Sequence, residues 1–189
     1  LDLVEGLEID KGWISPYFVT DRMNAICTLE KPLILFTDHK ISGLQDLLPI
    51  LAQVVPTKRP LVIIAEDVEG EALAGLLLNK LRGVMDVVAI KAPGFGDRRK
   101  ALLEDLAIVT GGQMVAKDSG VSWSQVGKAQ LGTVKKIEVS KDRTIFFRGN
   151  TNKEAIADRC AQIEAQIEQT NSNYDREKLE ERLARIQGK

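Results

Sequence analysis

Apolar and polar residues change period several times along this chain, and residues 61–82 (LVIIAEDVEGEALAGLLLNKLR) show the change most sharply. Residues 61–65 form an unbroken, β-branched apolar run, short enough for a strand buried on both faces. The acidic, glycine-containing link at 66–70 ends it. From Glu71 the spacing is helical, and at about 100° per residue Ala72, Leu73, Ala74, Leu76, Leu77, Leu78 and Leu81 cover an arc of roughly 240°, interrupted by Lys80. A helix lying on a sheet needs a stripe of roughly 100° or a little more. The surplus leaves two readings, a helix enclosed on several sides or an adhesive helix with apolar surface for a partner.

Residues 42–55 (SGLQDLLPILAQVV) repeat the excess, with Leu44, Leu47, Leu48, Ile50, Leu51, Val54 and Val55 too many for one face. Ser42 and Gln45 stand at capping-box spacing. Pro49 falls inside the apolar run, where it predicts a kink or a helix restarting near Leu48. Two such helices side by side would form an oily groove.

The wider pattern alternates. Strands at 25–29, 33–37, 61–65, 86–90 and 113–115 and helices at 42–55, 71–82 and 97–109 predict an α/β fold: βαβ units with a parallel sheet and right-handed crossovers. Residues 120–132 read as a loop, 133–139 and 144–147 as a hairpin about Lys141-Asp142. Residues 153–171 form a helix with Ile156, Cys160, Ile163 and Ile167 on one stripe. A last helix, capped by Ser172, carries Leu179, Leu183 and Ile186, and the two are joined closely enough for an antiparallel pair. Residues 1–6 are an apolar lead-in ending at a glycine. In residues 11–20 (KGWISPYFVT) Trp13, Tyr17 and Phe18 gather around Ser15-Pro16. Pro16 excludes a regular central strand, so the rings either plug the core or form an exposed patch suited to an interface.

Composition narrows the function classes. At 189 residues the chain has ample length for a real core. A net charge of −1 supplies no argument for nucleic acid or an anionic membrane as partner. No apolar run reaches the length of a membrane span, and the first residues do not read as a signal peptide. Starting in mid-pattern without Met, the chain reads as an excised domain. Cys27 and Cys160 stand far apart outside any metal or redox motif and read as buried thiols of a reducing compartment.

Candidate chemistry is sparse. His39 is the one histidine, which excludes a His cluster for a metal and reads as a surface residue. Glu66, Asp67, Glu69 and Glu71 have the composition of an acid–base pair or hard-cation site, but acids preceding a helix are also favoured by its dipole. Gly94-Phe95-Gly96 before a helix has the outline of a phosphate cradle. It lacks both the third glycine of a dinucleotide site and a following Gly-Lys-Ser/Thr. Its other reading is a sharp turn in which Asp97 caps the helix and Arg98, Arg99 and Lys100 are solvated.

Four stretches taken together carry a family resemblance: ISPYF at 14–18, IIAEDVEGEAL at 63–73, KAPGFGDRRKA at 91–101 and YDREKLEERLA at 174–184. In that order they closely resemble the apical domain of the large subunit of bacterial-type (GroEL-type, group I) chaperonins, across essentially the whole chain. The resemblance implies a swivelling β/β/α domain with a C-terminal antiparallel helix pair. It also implies that residues 1–189 lack the ATP-binding equatorial domain and most of the intermediate domain. Such a domain holds non-native polypeptides and the mobile loop of a GroES-type co-chaperonin on apolar residues. Position by position, these fall on Trp13, Ser15, Tyr17, Phe18, Leu48, Leu51, Leu73, Leu77 and Leu78. The family commonly has tyrosine at Trp13 and valines at Leu77 and Leu78. Where relatives often place a lysine that pairs with a neighbouring subunit's glutamate, here Glu69, this chain has Asp21, with Arg22 beside it.

The resemblance further implies a parent that hydrolyses ATP with Mg outside this chain, assembles as stacked seven-membered rings and works in the cytoplasm or an organelle matrix or stroma. For the fragment it implies no catalysis, no bound cofactor or metal, and a monomer. The alternative from another class is a Rossmann-like enzyme domain using Gly94 to Gly96 for a nucleotide phosphate.

Overall fold

The protein is described from a computed structural model, over residues 6–116, 126–127, 130–148 and 153–187. The lead-in at residues 1–5 and most of the expected loop at 120–132 lie outside these residues. Elsewhere the fold is mixed α/β, as the alternating pattern predicts.

Its centre is β5 (Leu61–Ala65), every residue of which is buried. It pairs in parallel with β3 (Leu33–Phe36) on one side and β7 (Val87–Lys91) on the other, while short β8 (Gly132–Thr133) adds antiparallel to β3. The order is therefore β7-β5-β3-β8. A strand buried on both faces needs a layer on each side. The crossovers β3 to β5 and β5 to β7 step the same way, so right-handedness puts α1 (Leu44–Val54) and α2 (Gly70–Leu81) on one face, where they pack together. The third helix, α3 (Gly96–Thr110), packs against β3 and β8 and then under α4 (Lys153–Gln169) and α5 (Asn173–Gln187).

A second, antiparallel sheet has the order β1-β10-β9-β2, from β1 (Gly6–Ile9), β2 (Cys27–Glu30), β9 (Lys136–Val139) and β10 (Thr144–Phe147). Here the expected hairpin needs correction. Its first arm, 133–139, is divided, because Thr133 belongs to β8 of the parallel sheet and only Lys136 onward pairs with β10. The strand expected at 113–115 is a single bridge from Val115 to Thr37, joined by the Thr37 hydroxyl donating to the Val115 carbonyl at 2.7 Å. A small parallel pair, β4 (Lys40–Ile41) with β6 (Asp67–Val68), extends the carboxyl ends of β3 and β5 and buries Ile41 and Val68.

Two helix details also differ from expectation. Gly43, not Ser42, caps α1, without a side-chain bond, and the Ser42 hydroxyl is within 3.3 Å of Glu69 instead. The helix continues through Pro49 rather than restarting at Leu48. Ser172 does cap α5, its Oγ accepting from the Asp175 amide at 3.2 Å.

A buried carboxylate ties three helices together. Asp105 of α3 accepts from Arg159 Nε of α4 at 2.8 Å, and from Arg182 of α5 at 2.7 Å (Nε) and 3.1 Å (Nη2). Both carboxylate oxygens are thus engaged by guanidinium groups that are themselves largely withdrawn from water. The apolar stripe around Ile163 and Ile186 closes the same contact. Removing one partner of a buried ionic group leaves the rest uncompensated. Asp105→Ala is accordingly expected to lower the free energy of unfolding by about 3–5 kcal/mol, whereas Arg143→Ala, which breaks an exposed pair with Glu8, should cost under about 1 kcal/mol. Urea denaturation of the two variants checks the difference.

Cys27 lies wholly inside, and burial pushes its thiol up from 9.0 to about 11. Lys80 pulls it back and Asp86 pushes it further. A raised acid binds its proton more tightly in the folded state, so its contribution is complete below pH 9 and is lost between pH 9 and about 11. The difference in unfolding free energy between wild type and Cys27→Val should therefore drift against wild type across that window and be flat below it.

Candidate functional site

The three segments named for polypeptide binding lie on the α1/α2 side of the parallel sheet or at its edge, but their side chains are divided between surface and interior. Residues 13 and 14 lie along the free edge of β7, with Ile14 N donating to Ala89 O at 2.9 Å and Trp13 bridging Ile90. This covers an edge that would otherwise offer unpaired backbone groups. The chain then turns through one 3-10 turn, Pro16–Phe18, whose N-cap is Ser15, with Oγ accepting from Tyr17 N at 3.2 Å. Phe18 points into the core and is fully buried; Tyr17 points out and is 74% exposed. Trp13 is half-buried, its indole N–H held by Ala25 O at 3.1 Å. The segment thus realises both readings of its aromatics.

Of the named residues, Phe18 is fully buried and Ser15 and Leu51 nearly so. Ser15 sets the turn and Leu51 packs with Leu47, Ile50 and Val54 on the inner face of α1. Leu48 is 51% exposed and Leu78 46%. Leu73 and Leu77 lie between, half-buried and packed against the core. Helix α2 buries completely only Ala72 and Leu76, one turn apart. The wide arc is therefore neither enclosed nor wholly free: a narrow inner stripe, two shoulders, and Leu78 and Leu81 in solvent.

The helices meet closely where Leu44 of α1 lies over Gly75 of α2. A β-carbon at Gly75 would stand 2.6 Å from Leu44 Cδ1. Leu48 and Leu78 each follow this contact by about one turn, on helices running the same way. On the other flank of α2 a hollow of about 590 Å³ is lined by Trp13, Pro16, Tyr17, Val19, Arg22, Ala25, Lys80 and Leu81. Leu81, 76% exposed, is absent from the residues named by the resemblance although it lies on the helical arc three residues beyond Leu78. The transferred set stops at Leu78, and spacing alone extends the surface to it.

The glycine turn before α3 is built differently from its sequence outline. Phe95, not Asp97, is the N-cap, and Gly94 and Gly96 adopt φ of +76° and +55°. Arg99 is not solvated: its Nε and Nη2 donate to the Gly94 carbonyl at 3.0 and 2.7 Å, it reaches Glu66 at 3.6 Å, and it sits 5.4 Å from the centre of the Phe95 ring. Arg99 is thus engaged in holding the turn. In an open α/β sheet a nucleotide binds beyond the carboxyl ends of the strands, a region that β4 and β6 partly occupy here.

Asp21 folds back on its own turn, accepting from Met23 N, Asn24 N and Asn24 Nδ2 at 3.1, 3.3 and 2.7 Å. These bonds, the Asn24 side chain foremost, hold its carboxyl below the usual range. Glu69, where the resemblance implies a contact with a neighbouring subunit, pairs with Lys40 at 3.3 Å. His39 is half-buried rather than on the surface, its amide donating to Thr37 Oγ1 at 3.1 Å. Cys160 is likewise only half-buried. Among the described residues no group of three or more His, Cys, Asp or Glu is placed to hold a metal ion, and no helix is long and apolar enough to cross a membrane. No model of a known protein family matches the chain.

The graded burial along α2 predicts graded stabilities. Leu76→Ser should destabilise by at least about 2–5 kcal/mol, the range for truncating a buried leucine. Leu78→Ser should stay within about 0.5 kcal/mol of wild type, as surface changes do. Leu73→Ser and Leu77→Ser should fall between them. Chemical denaturation of the four variants measures the series.

Proposed function

We propose that the chain holds non-native polypeptide on the outer face of α1 and α2 and the adjoining aromatic turn, as the apical domain of a group I chaperonin does. The observation that carries this reading is the exposure of Leu48, Leu78, Leu81 and Tyr17 on elements that otherwise have well-filled inner faces. Exposed leucines on two adjacent parallel helices form a surface that attracts apolar chain without reading its sequence, because hydrophobic attraction is non-directional. Promiscuous holding follows from that. The motif resemblance supports the finer proposals: the swivelling β/β/α architecture, capture of a GroES-type mobile loop at the same surface, and a ring-forming parent that binds ATP and Mg elsewhere in its chain, in the cytoplasm or an organelle. On this reading residues 1–189 are monomeric and neither bind nor hydrolyse ATP.

The burial pattern identifies which variants test this cleanly. Leu73 and Leu77 contribute to the fold as well as to the surface, so loss of binding there mixes two effects. Leu48 and Leu78 do not share that burden. Burying a leucine fully is worth about 1.5–3 kcal/mol, and about 1.4 kcal/mol is tenfold in affinity. Leu48→Ser with Leu78→Ser is therefore expected to weaken binding of a fluorescent apolar peptide by about tenfold or more with an unchanged melting temperature. Undiminished binding by the double variant would overturn the reading, as would ATP turnover abolished by changing Gly94 or Gly96.

A further inference from the structure

We propose that the hollow beside α2 selects polypeptide segments in which a large apolar side chain is followed or preceded by an acidic one. This rests on the polypeptide-holding reading above and specifies which segments the surface prefers. The walls of the hollow are apolar and aromatic, from Trp13, Pro16, Tyr17, Val19, Ala25 and Leu81, and its charged lining consists of two cations, Arg22 and Lys80. Neither forms an ion pair within the chain among the described residues. The nearest carboxylate in sequence to Arg22, that of Asp21, accepts from Met23 and Asn24 and does not line the hollow. Asp86 and Lys80 both act on buried Cys27, but only Lys80 lines the hollow.

The shape of the site sets the chemistry of its occupant. The indole of Trp13 is fixed by its bond to Ala25 O, and Pro16 restricts the turn that carries Tyr17, so the apolar wall is preformed and costs little to order on binding. A volume of about 590 Å³ is at the scale of sites that take several side-chain-sized groups. An apolar side chain seated on Trp13 and Leu81 leaves its neighbours in sequence near two cations in a hollow that no carboxylate lines. A carboxylate there gains from both, a lysine is repelled by both, and a glutamine is indifferent. Because these charges face water, the gain is a modest bias on the apolar binding and not its source.

Short fluorescent peptides with one shared apolar core, amidated C-termini and flanking Glu, Gln or Lys test this by anisotropy. The protein should bind the Glu peptide about threefold to tenfold tighter than the Gln peptide and the Lys peptide more weakly than either. The Glu preference should shrink in high salt and disappear in the double variant Arg22→Gln, Lys80→Gln, whose melting temperature should match wild type. Equal binding of the Glu and Gln peptides, both weakened by Leu78→Ser, would end this inference and leave the polypeptide-holding reading standing. Absence of binding by every peptide would end both. A Glu preference that persists in the double variant would place the cations elsewhere and overturn the assignment to this hollow.

Discussion

The burial of β5 on both faces is the constraint from which the rest of the architecture follows. Five consecutive residues with no solvent-facing side chain require cover above and below, and right-handed crossovers distribute that cover unequally. On one side α3 receives a second layer, α4 and α5, fastened by the Asp105 carboxylate between Arg159 and Arg182. On the other side α1 and α2 are joined at Leu44 and Gly75 and flanked by the Pro16–Phe18 turn. No described element forms a second layer over them. The apolar residues of α3 are buried between sheet and helix pair, whereas part of the apolar excess of α1 and α2 remains in water.

That asymmetry explains which parts of the fold were legible beforehand. Buried parallel strands announce themselves, since an unbroken β-branched run has few alternatives, and β5 begins and ends where the run does. The helices were equally plain from their period. The hairpin was not, because residues 133–139 read as one strand while the chain leaves one sheet and enters another after Thr133. Nothing in local alternation records which sheet a residue joins. Asp105 and Arg99 were opaque for a related reason: charge on a helix reads as a solvated face, and only tertiary packing shows that Asp105 is enclosed by two arginines and that Arg99 is folded onto Gly94.

The candidate site was legible in its segments and not in its side chains. Helical spacing revealed a surplus of leucines on α2 without saying which belonged to it. The sheet decides, by taking Ala72 and Leu76 and leaving Leu78 and Leu81 outside. In the aromatic turn, Tyr17 and Phe18 are adjacent and chemically alike, yet a 3-10 turn begun by Ser15 sends one to solvent and the other to the core. The cations beside them, Arg22 and Lys80, are far apart in sequence and meet only when α2 lies against the turn.

A polypeptide surface on the outer face of α1 and α2 has a direct rival elsewhere on the molecule: Phe95 and Tyr174 are also exposed, and both line a hollow at the start of α3. Amide hydrogen exchange with and without a saturating apolar peptide separates the two. Protection confined to α1, α2 and the Pro16–Phe18 turn is the expected result. Protection confined to the first turns of α3 and α5, with α1 and α2 unchanged, would contradict it.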